Sequence, residues 1–324
     1  MKRIMPRNRE MLILLSFLLI FAILYLLISP QYTPEQNVRI GIQQGRYLNS
    51  YFPVYVADKA GFFKGEGLNV TIFELGTTGS TNALIANKIE FSAIVEPAIL
   101  AKIGGADLKV TLLFSKNENF LYSNLTSIKD LKGKRVAISC IGCGSYLNLN
   151  RLLKNEGLSI DDVQVILMPD VDQRIKAFKS GAVEATAVTE LAFKPGETKI
   201  RIYLAENSTT SFTGSVVTTG KLIQENPDLV MKFTRAIAKS VNYIYNNKNE
   251  TIELIKSGLQ VDDEKATDVY DFIVSYKIYV SNLDMKNLND EIKEVAESAD
   301  KTSLPAEQFA DQSFVNQLQK SLIV

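Results

Sequence analysis

The sequence predicts an α/β protein made of two successive strand–helix units and finished by a helical tail. Three observations carry that prediction. Short apolar runs alternate with helical periods between residues 38 and 114. The same alternation resumes between 135 and 219, and from Asn226 onward the period is helical.

Ahead of the first unit, Lys2, Arg3, Arg7 and Arg9 precede an uncharged apolar run over residues 11–28. At helical rise such a run spans about 27 Å, close to the roughly 30 Å of a hydrocarbon core. The basic flank belongs on the cytoplasmic side, which puts the body outside. A cleaved signal peptide is the alternative. The run exceeds a usual signal core, no A-x-A site or lipobox cysteine follows, and Pro30 stands directly behind Ser29. Residues 1–28 are therefore expected to be a basic stub and a retained transmembrane helix, and 29–37 a linker.

Residues 38–43 form an apolar strand, and Pro53 opens a helix that Gly61 ends. Residues 68–74 alternate as a strand. Ser80 or Thr81 is expected to cap a helix running through Ala83, Leu84 and Ile85, followed by a buried-type strand over 91–95. Pro97 starts a helix that stops at Gly104 and Gly105, and 109–114 is the next strand. In the second unit 135–139, 163–168, 183–188, 200–204 and 212–219 read as strands. Ser145 is the expected cap of a helix closed by Gly157, and Asp170 or Asp172 begins one closed by Gly181. Asn226-Pro227, Asn249 and Asp262 mark helix starts in the tail, which reads as helical to its end.

Composition removes whole classes of function. Lysine plus arginine equals aspartate plus glutamate, 36 against 36, and no basic patch stands out, so nucleic acid is not an expected partner. The chain has no histidine, which excludes Ser-His-Asp and Cys-His catalysis and imidazole metal ligands. Cys140 and Cys143 are the only cysteines. Their spacing fits a redox pair, half a metal site or a local disulfide. No histidine or third cysteine completes a zinc site, so an inert disulfide or a pair of small loop residues is favoured. Asn69, Asn124, Asn207 and Asn249 head N-x-Ser/Thr sequons, which agree with an outside location.

Two stretches share a layout. Gly76-Thr77-Thr78-Gly79-Ser80-Thr81 and Cys140-Ile141-Gly142-Cys143-Gly144-Ser145 each set glycines and hydroxyls before a helix. Free N–H groups and the positive dipole end suit such places to anionic or polar ligand groups. Taken singly, each is also what an ordinary capped helix looks like.

The stretch from Pro53 to Val70, with Ala57-Asp58-Lys59-Ala60-Gly61-Phe62-Phe63-Lys64-Gly65-Glu66-Gly67-Leu68, resembles the solute-binding proteins for nitrate, taurine, alkanesulfonates and thiamine-pyrimidine precursors. Ala83-Leu84-Ile85-Ala86, Glu90-Phe91-Ser92-Ala93, Ile128-Lys129-Asp130-Leu131-Lys132-Gly133-Lys134-Arg135-Val136-Ala137 and Gly181-Ala182-Val183-Glu184-Ala185 extend the likeness, as do Phe314 and Leu318 near the C-terminus. Asn87, Glu90, Glu184 and the two cysteines depart from the family's usual residues.

The resemblance implies a type II periplasmic-binding-protein fold. Its lobe one would take residues 38–118 and 210–324, and its lobe two 119–209, with crossovers near 117–125 and 207–214. It further implies a ligand cleft closed by hinge motion, an ABC permease with its ATPase as partner, and no cofactor, metal or catalytic residue. The expected cleft residues are Gln43, Gln44, Tyr47, Tyr51, Thr78, Gly79, Ser80, Thr81, Glu96, Ile141, Gly144, Ser145, Tyr146, Asp170 and Glu190. The ligand is expected to be a small organic or oxyanion molecule, sulfonate, nitrate or pyrimidine-like. The alternatives are an extracytoplasmic sensor with a separate signalling partner, and an enzyme of the thiamine-pyrimidine branch. That branch draws on an active-site histidine, which this chain lacks.

Overall fold

The computed structural model describes residues 35–45, 47–189, 192–193, 197–204 and 212–322. The transmembrane reading of residues 1–28 lies outside them. Among the described residues no helix is long and apolar enough to cross a membrane.

The first unit runs β1 (Gln36–Ile42), α1 (Phe52–Lys59), the single turn α2 (Phe62–Gly65), β2 (Leu68–Glu74), α3 (Thr77–Ile85), β3 (Phe91–Ile94), α4 (Glu96–Ile103) and β4 (Leu108–Lys116). The second runs β5 (Asn119–Ser123), β6 (Arg135–Ile138), α5 (Gly144–Asn155), β7 (Gln164–Leu167), α6 (Val171–Lys179), β8 (Ala185–Thr189) and β9 (Ile200–Tyr203). The chain then gives β10 (Phe212–Thr219), α7 (Gly220–Glu225), α8 (Pro227–Asn246), α9 (Lys248–Leu259), α10 (Asp263–Tyr276), β11 (Tyr279–Asn282), α11 (Met285–Ser298) and α12 (Ser313–Leu322).

The strands make two sheets, ordered β11-β4-β10-β3-β1-β2 and β7-β6-β8-β5-β9. The chain leaves the first sheet between Lys116 and Asn119 and returns between Tyr203 and Phe212. Within each sheet three strands are parallel, β2-β1-β3 and β7-β6-β8, and the next strand, β10 beside β3 and β5 beside β8, is antiparallel to them. Both parallel sets are clipped at their N-terminal ends by the same device. Glu90 accepts from Arg39 N, Nε and Nη2, and Glu184 accepts from the same three groups of Arg135. The glutamates have the extra reach to take backbone and guanidinium donors together.

Covering helices bury β1 and β3; Val38, Ile40, Ile42, Phe91, Ala93 and Ile94 have no exposed surface. Phe233 of α8 stacks on Phe91 with ring centroids 4.0 Å apart and on Phe63 at 5.2 Å. Each such buried side chain contributes about 1.5–3 kcal/mol. Near the crossings, Phe272 of α10 packs between Phe120 of β5 and Tyr203 of β9, both contacts at 5.6 Å. A helix of the C-terminal part thus packs against the second sheet.

Three readings need correction. The tail is not helical throughout, because Tyr279–Asn282 pairs with β4 as an edge strand. Residues 119–123, expected in a crossover, are a strand paired on both sides. The helix after Gly76 starts at Thr77 and not near Ser80, because Gly76 takes φ 71° and turns the chain into it three residues early.

Candidate functional site

All six parallel strands end at one cleft. Gln43 follows β1, Thr77 follows β2, Glu96 follows β3, Ser139 and Gly144 follow β6, Asp170 and Arg174 follow β7, and Thr189 ends β8. Ligands of open α/β sheets bind beyond the carboxyl ends of parallel strands, where loops and helix starts converge. An outer cavity of about 280 Å³ is lined by Gln43, Gln44, Gly45, Tyr47, Glu74, Gly76, Thr77, Pro169, Asp170, Val171 and Asp172. An inner one of about 20 Å³ shares Gln43, Thr77 and Val171 with it, and adds Asn49, Glu96, Asn117, Asn119, Ser139, Cys143, Gly144, Ser145, Arg174, Thr189 and Thr213.

The inner cavity is where the two sheets touch. Glu96 Oε1 accepts from Gly144 N at 3.1 Å and from Thr213 Oγ1 at 3.3 Å, so a first-sheet carboxyl sits on the N-terminus of α5. Its Oε2 is buried without a partner. Burial pushes Glu96 up to about 7, although three hydrogen bonds hold it down. Gly144 has room for no side chain, since a Cβ there would collide with the Asn117 amide and crowd Glu96. Asn117 Nδ2 donates to Thr213 Oγ1, and its Oδ1 accepts from Asn119 N and Nδ2.

Arg174 supplies the cleft's positive charge. It is 2 % exposed. Its Nε donates to Ala187 O at 3.1 Å, and its Nη1 to Met168 O at 2.5 Å and Pro169 O at 3.0 Å. Among the described residues no carboxylate forms an ion pair with it. Burial pulls the guanidinium down to about 10, against smaller support from Tyr47 and Asp170. Across the outer cavity burial pushes the Tyr47 phenol up to about 12, helped by Asp172.

The expected site residues divide clearly. Gln43, Gln44, Tyr47, Glu96, Gly144, Ser145 and Asp170 line the cleft. Ser145 Oγ accepts from Ser139 N at 3.1 Å and bonds Ser139 Oγ at 2.7 Å, so it braces the loop before α5. Asp170 also caps α6 by accepting from Gln173 N. The others stand elsewhere. Ser80 is fully buried inside α3 and donates to Ile42 O and Gly76 O. Thr78, Gly79 and Thr81 share that helix and line neither cavity; Thr77, at its first position, does. Tyr51 donates to Gly258 O and stacks on Tyr55, away from the cleft. Tyr146 faces a different groove, with Asn150, Lys154 and Glu297. Ile141 is 47 % exposed and lines neither cavity. Glu190 lies outside the described residues. Cys140 and Cys143 are joined by a disulfide, their Cα atoms 5.4 Å apart. Among the described residues no cluster of acids and cysteines is arranged to hold a metal.

Sequence reading missed Arg174, Thr77, Asn117, Asn119, Ser139, Thr189 and Thr213. Only Ser139 carried a signal, as the residue closing a predicted strand at the sheet edge that faces a ligand.

Two α/β lobes meeting at the carboxyl ends of their parallel strands, around a polar cleft, define a two-lobed binding-protein fold. The alkanesulfonate-binding protein SsuA from Xanthomonas axonopodis pv. citri, solved with MOPS bound, superposes with TM-score 0.69 at 18 % identity over 87 % of this chain and 100 % of that one. This is the periplasmic-binding-protein fold. Residues 49–251 match the family described as NMT1/THI5 like, and the chain belongs to that family. A protein of Bacillus subtilis (strain 168) named for binding aliphatic sulfonates is 26 % identical over 253 residues, 72 % of this chain and 73 % of that protein. The 4-amino-5-hydroxymethyl-2-methylpyrimidine phosphate synthase of Candida albicans (strain WO-1) is 28 % identical over 223 residues, 62 % of this chain and 65 % of that one.

Proposed function

We propose that this protein is a solute-binding protein that captures a small sulfonate-like anion between its lobes and delivers it to an ABC importer. The observation that carries the reading is Arg174, a cation buried in the cleft wall with no carboxylate in an ion pair among the described residues. A charge so placed has lost hydration, and an arriving anion offsets that loss by pairing with it. Thr189, whose buried hydroxyl lines the inner cavity without a hydrogen-bond partner, adds a neutral donor for an oxyanion oxygen. The B. subtilis relative supports the choice of a sulfonate over nitrate or a pyrimidine.

Calorimetric titration of the purified protein with ethanesulfonate, taurine, nitrate and 4-amino-5-hydroxymethyl-2-methylpyrimidine tests the ligand class. Saturable binding of a sulfonate supports the reading; binding of the pyrimidine alone overturns it. The likeness to the synthase favours a catalytic reading, but the histidine which that branch draws on is absent from this chain.

The run over residues 11–28 is assigned as the tether that holds the body on the outer face of the membrane. N-terminal sequencing of the native membrane-bound protein tests that assignment. A mature chain beginning near Gln31 would overturn it.

A further inference from the structure

Three buried glutamates stand where the lobes join: two at the chain crossings and one on the cleft floor. Glu118 lies in the short crossing from β4 to β5, 1 % exposed, with Asn49 beside its carboxyl and no cation paired with it among the described residues. Glu291 of α11 is fully buried and accepts from Phe212 N, at the point where the chain returns to the first sheet. Glu96 spans the cleft floor to Gly144 N and keeps one oxygen orphaned. Two of the three touch the strand crossings, and the third makes a direct hydrogen bond from lobe to lobe.

We propose that closure of the cleft takes up protons from solvent: Glu96, Glu118 and Glu291 hold the lobes together as neutral carboxylic acids, and they ionise when opening brings water to them. This rests on the reading of the cleft as the place that opens and closes. It holds whatever ligand the cleft takes.

Their surroundings leave little to stabilise the charged forms. The charged and titratable groups bearing on Glu118 are Glu96, Tyr47 and Tyr279, none of them cationic. Those bearing on Glu291 are Glu96, Glu294 and Arg151, and Arg151 is engaged with Glu294 across the lobes. Arg174 bears on Tyr47 and Asp170. Burial, with the neighbouring Glu96, pushes Glu118 up to about 8, and burial lifts Glu291 well above the carboxylate range.

The sign follows from linkage. Each carboxyl has a higher proton affinity in the closed form than when hydrated. Closure is therefore fully supported below the ordinary glutamate range near 4.5 and loses that support as pH rises through about 7 for Glu96 and about 8 for Glu118. Over that interval the closed-to-open ratio falls about tenfold per pH unit for each carboxyl.

The test needs no ligand. Cysteines are introduced at exposed Lys88 and Lys176, on opposite lobes, in the full chain with its native disulfide intact, and spin-labelled. Inter-label distances are measured by pulsed electron resonance from pH 5.5 to 9.5. A short distance at pH 5.5 that gives way to a longer one through pH 7–8 supports the proposal. So does an upward shift of that transition by about one pH unit or more in Glu118→Gln, which keeps the shape and cannot ionise. Circular dichroism at both pH extremes shows that the variant and the parent remain folded. An unchanged distance distribution, whether short or long, or the same profile in wild type and Glu118→Gln, overturns it. Failure of the sulfonate titration alone would leave this result standing, so the two readings fail separately.

Discussion

Replacing Arg174 with methionine separates the cleft's charge from its shape. Methionine keeps most of the aliphatic volume and removes the guanidinium. The drop of Arg174 to about 10 corresponds to about 3 kcal/mol of lost hydration that the variant no longer bears. Against this, three hydrogen bonds from a charged donor to Ala187, Met168 and Pro169 carbonyls disappear, at about 1.5–3 kcal/mol each. The balance is a net destabilisation of about 1–6 kcal/mol, read as a lower urea midpoint at unchanged m-value. For binding, loss of one charge-assisted contact to a sulfonate costs about 1.5–3 kcal/mol, roughly tenfold to a hundredfold in Kd. The assay is calorimetric titration with ethanesulfonate at pH 6, on the side where burial favours the protonated forms of Glu96 and Glu118 in the closed cleft. Arg174→Lys retains the charge and should recover part of the affinity. A folded Arg174→Met variant that binds ethanesulfonate like wild type would falsify the assignment of the anion to this residue.

Gly144→Ala places a methyl group into the Asn117 amide and against Glu96, so overpacking should cost about 1–3 kcal/mol in urea unfolding; an unchanged midpoint would show that the lobes do not meet here. Mass spectrometry of the unreduced protein should find Cys140 and Cys143 bonded to each other. Closing so short a loop constrains the unfolded chain by about 2 kcal/mol, so Cys140→Ser with Cys143→Ser should lower stability by no more than that. Glu184, held down to about 2 chiefly by the Arg135 guanidinium, contributes fully above the ordinary carboxylate range and loses that contribution as pH falls toward 2. The melting difference between wild type and Glu184→Gln should therefore be present at pH 7 and shrink in acid; a difference that persists at pH 2 would point to packing instead.

The elements most legible in the sequence are those held by local interactions. Asn226, Asp262 and Asp170 were readable as helix starts because each cap is a bond to a backbone N–H three residues on. The strands β1, β2 and β6 were readable from their apolar pattern, and the family resemblance implied Gln43, Glu96, Gly144 and Asp170 as cleft residues. Ser80 misled because Gly76, through its positive φ, moved the helix start and turned the serine under β1. The strand β11 and the pairing of β5 had no local signature, since each exists through partners far along the chain.

The sequence alone determined the two α/β units, the residue types at the strand ends, and a chemistry without histidine. Tertiary structure alone decided which of those residues face one another. Arg174 sits in Val171-Asp172-Gln173-Arg174-Ile175-Lys176, which reads as the polar side of any exposed helix, and only the packing of α6 over β8 buries it. The buried state of Glu96, Glu118 and Glu291 likewise comes from segments nearly two hundred residues apart being brought together. Helix caps and strand alternation are set by neighbours a few residues away. The proton affinity of a carboxyl is set by the water it loses, and that depends on the whole fold.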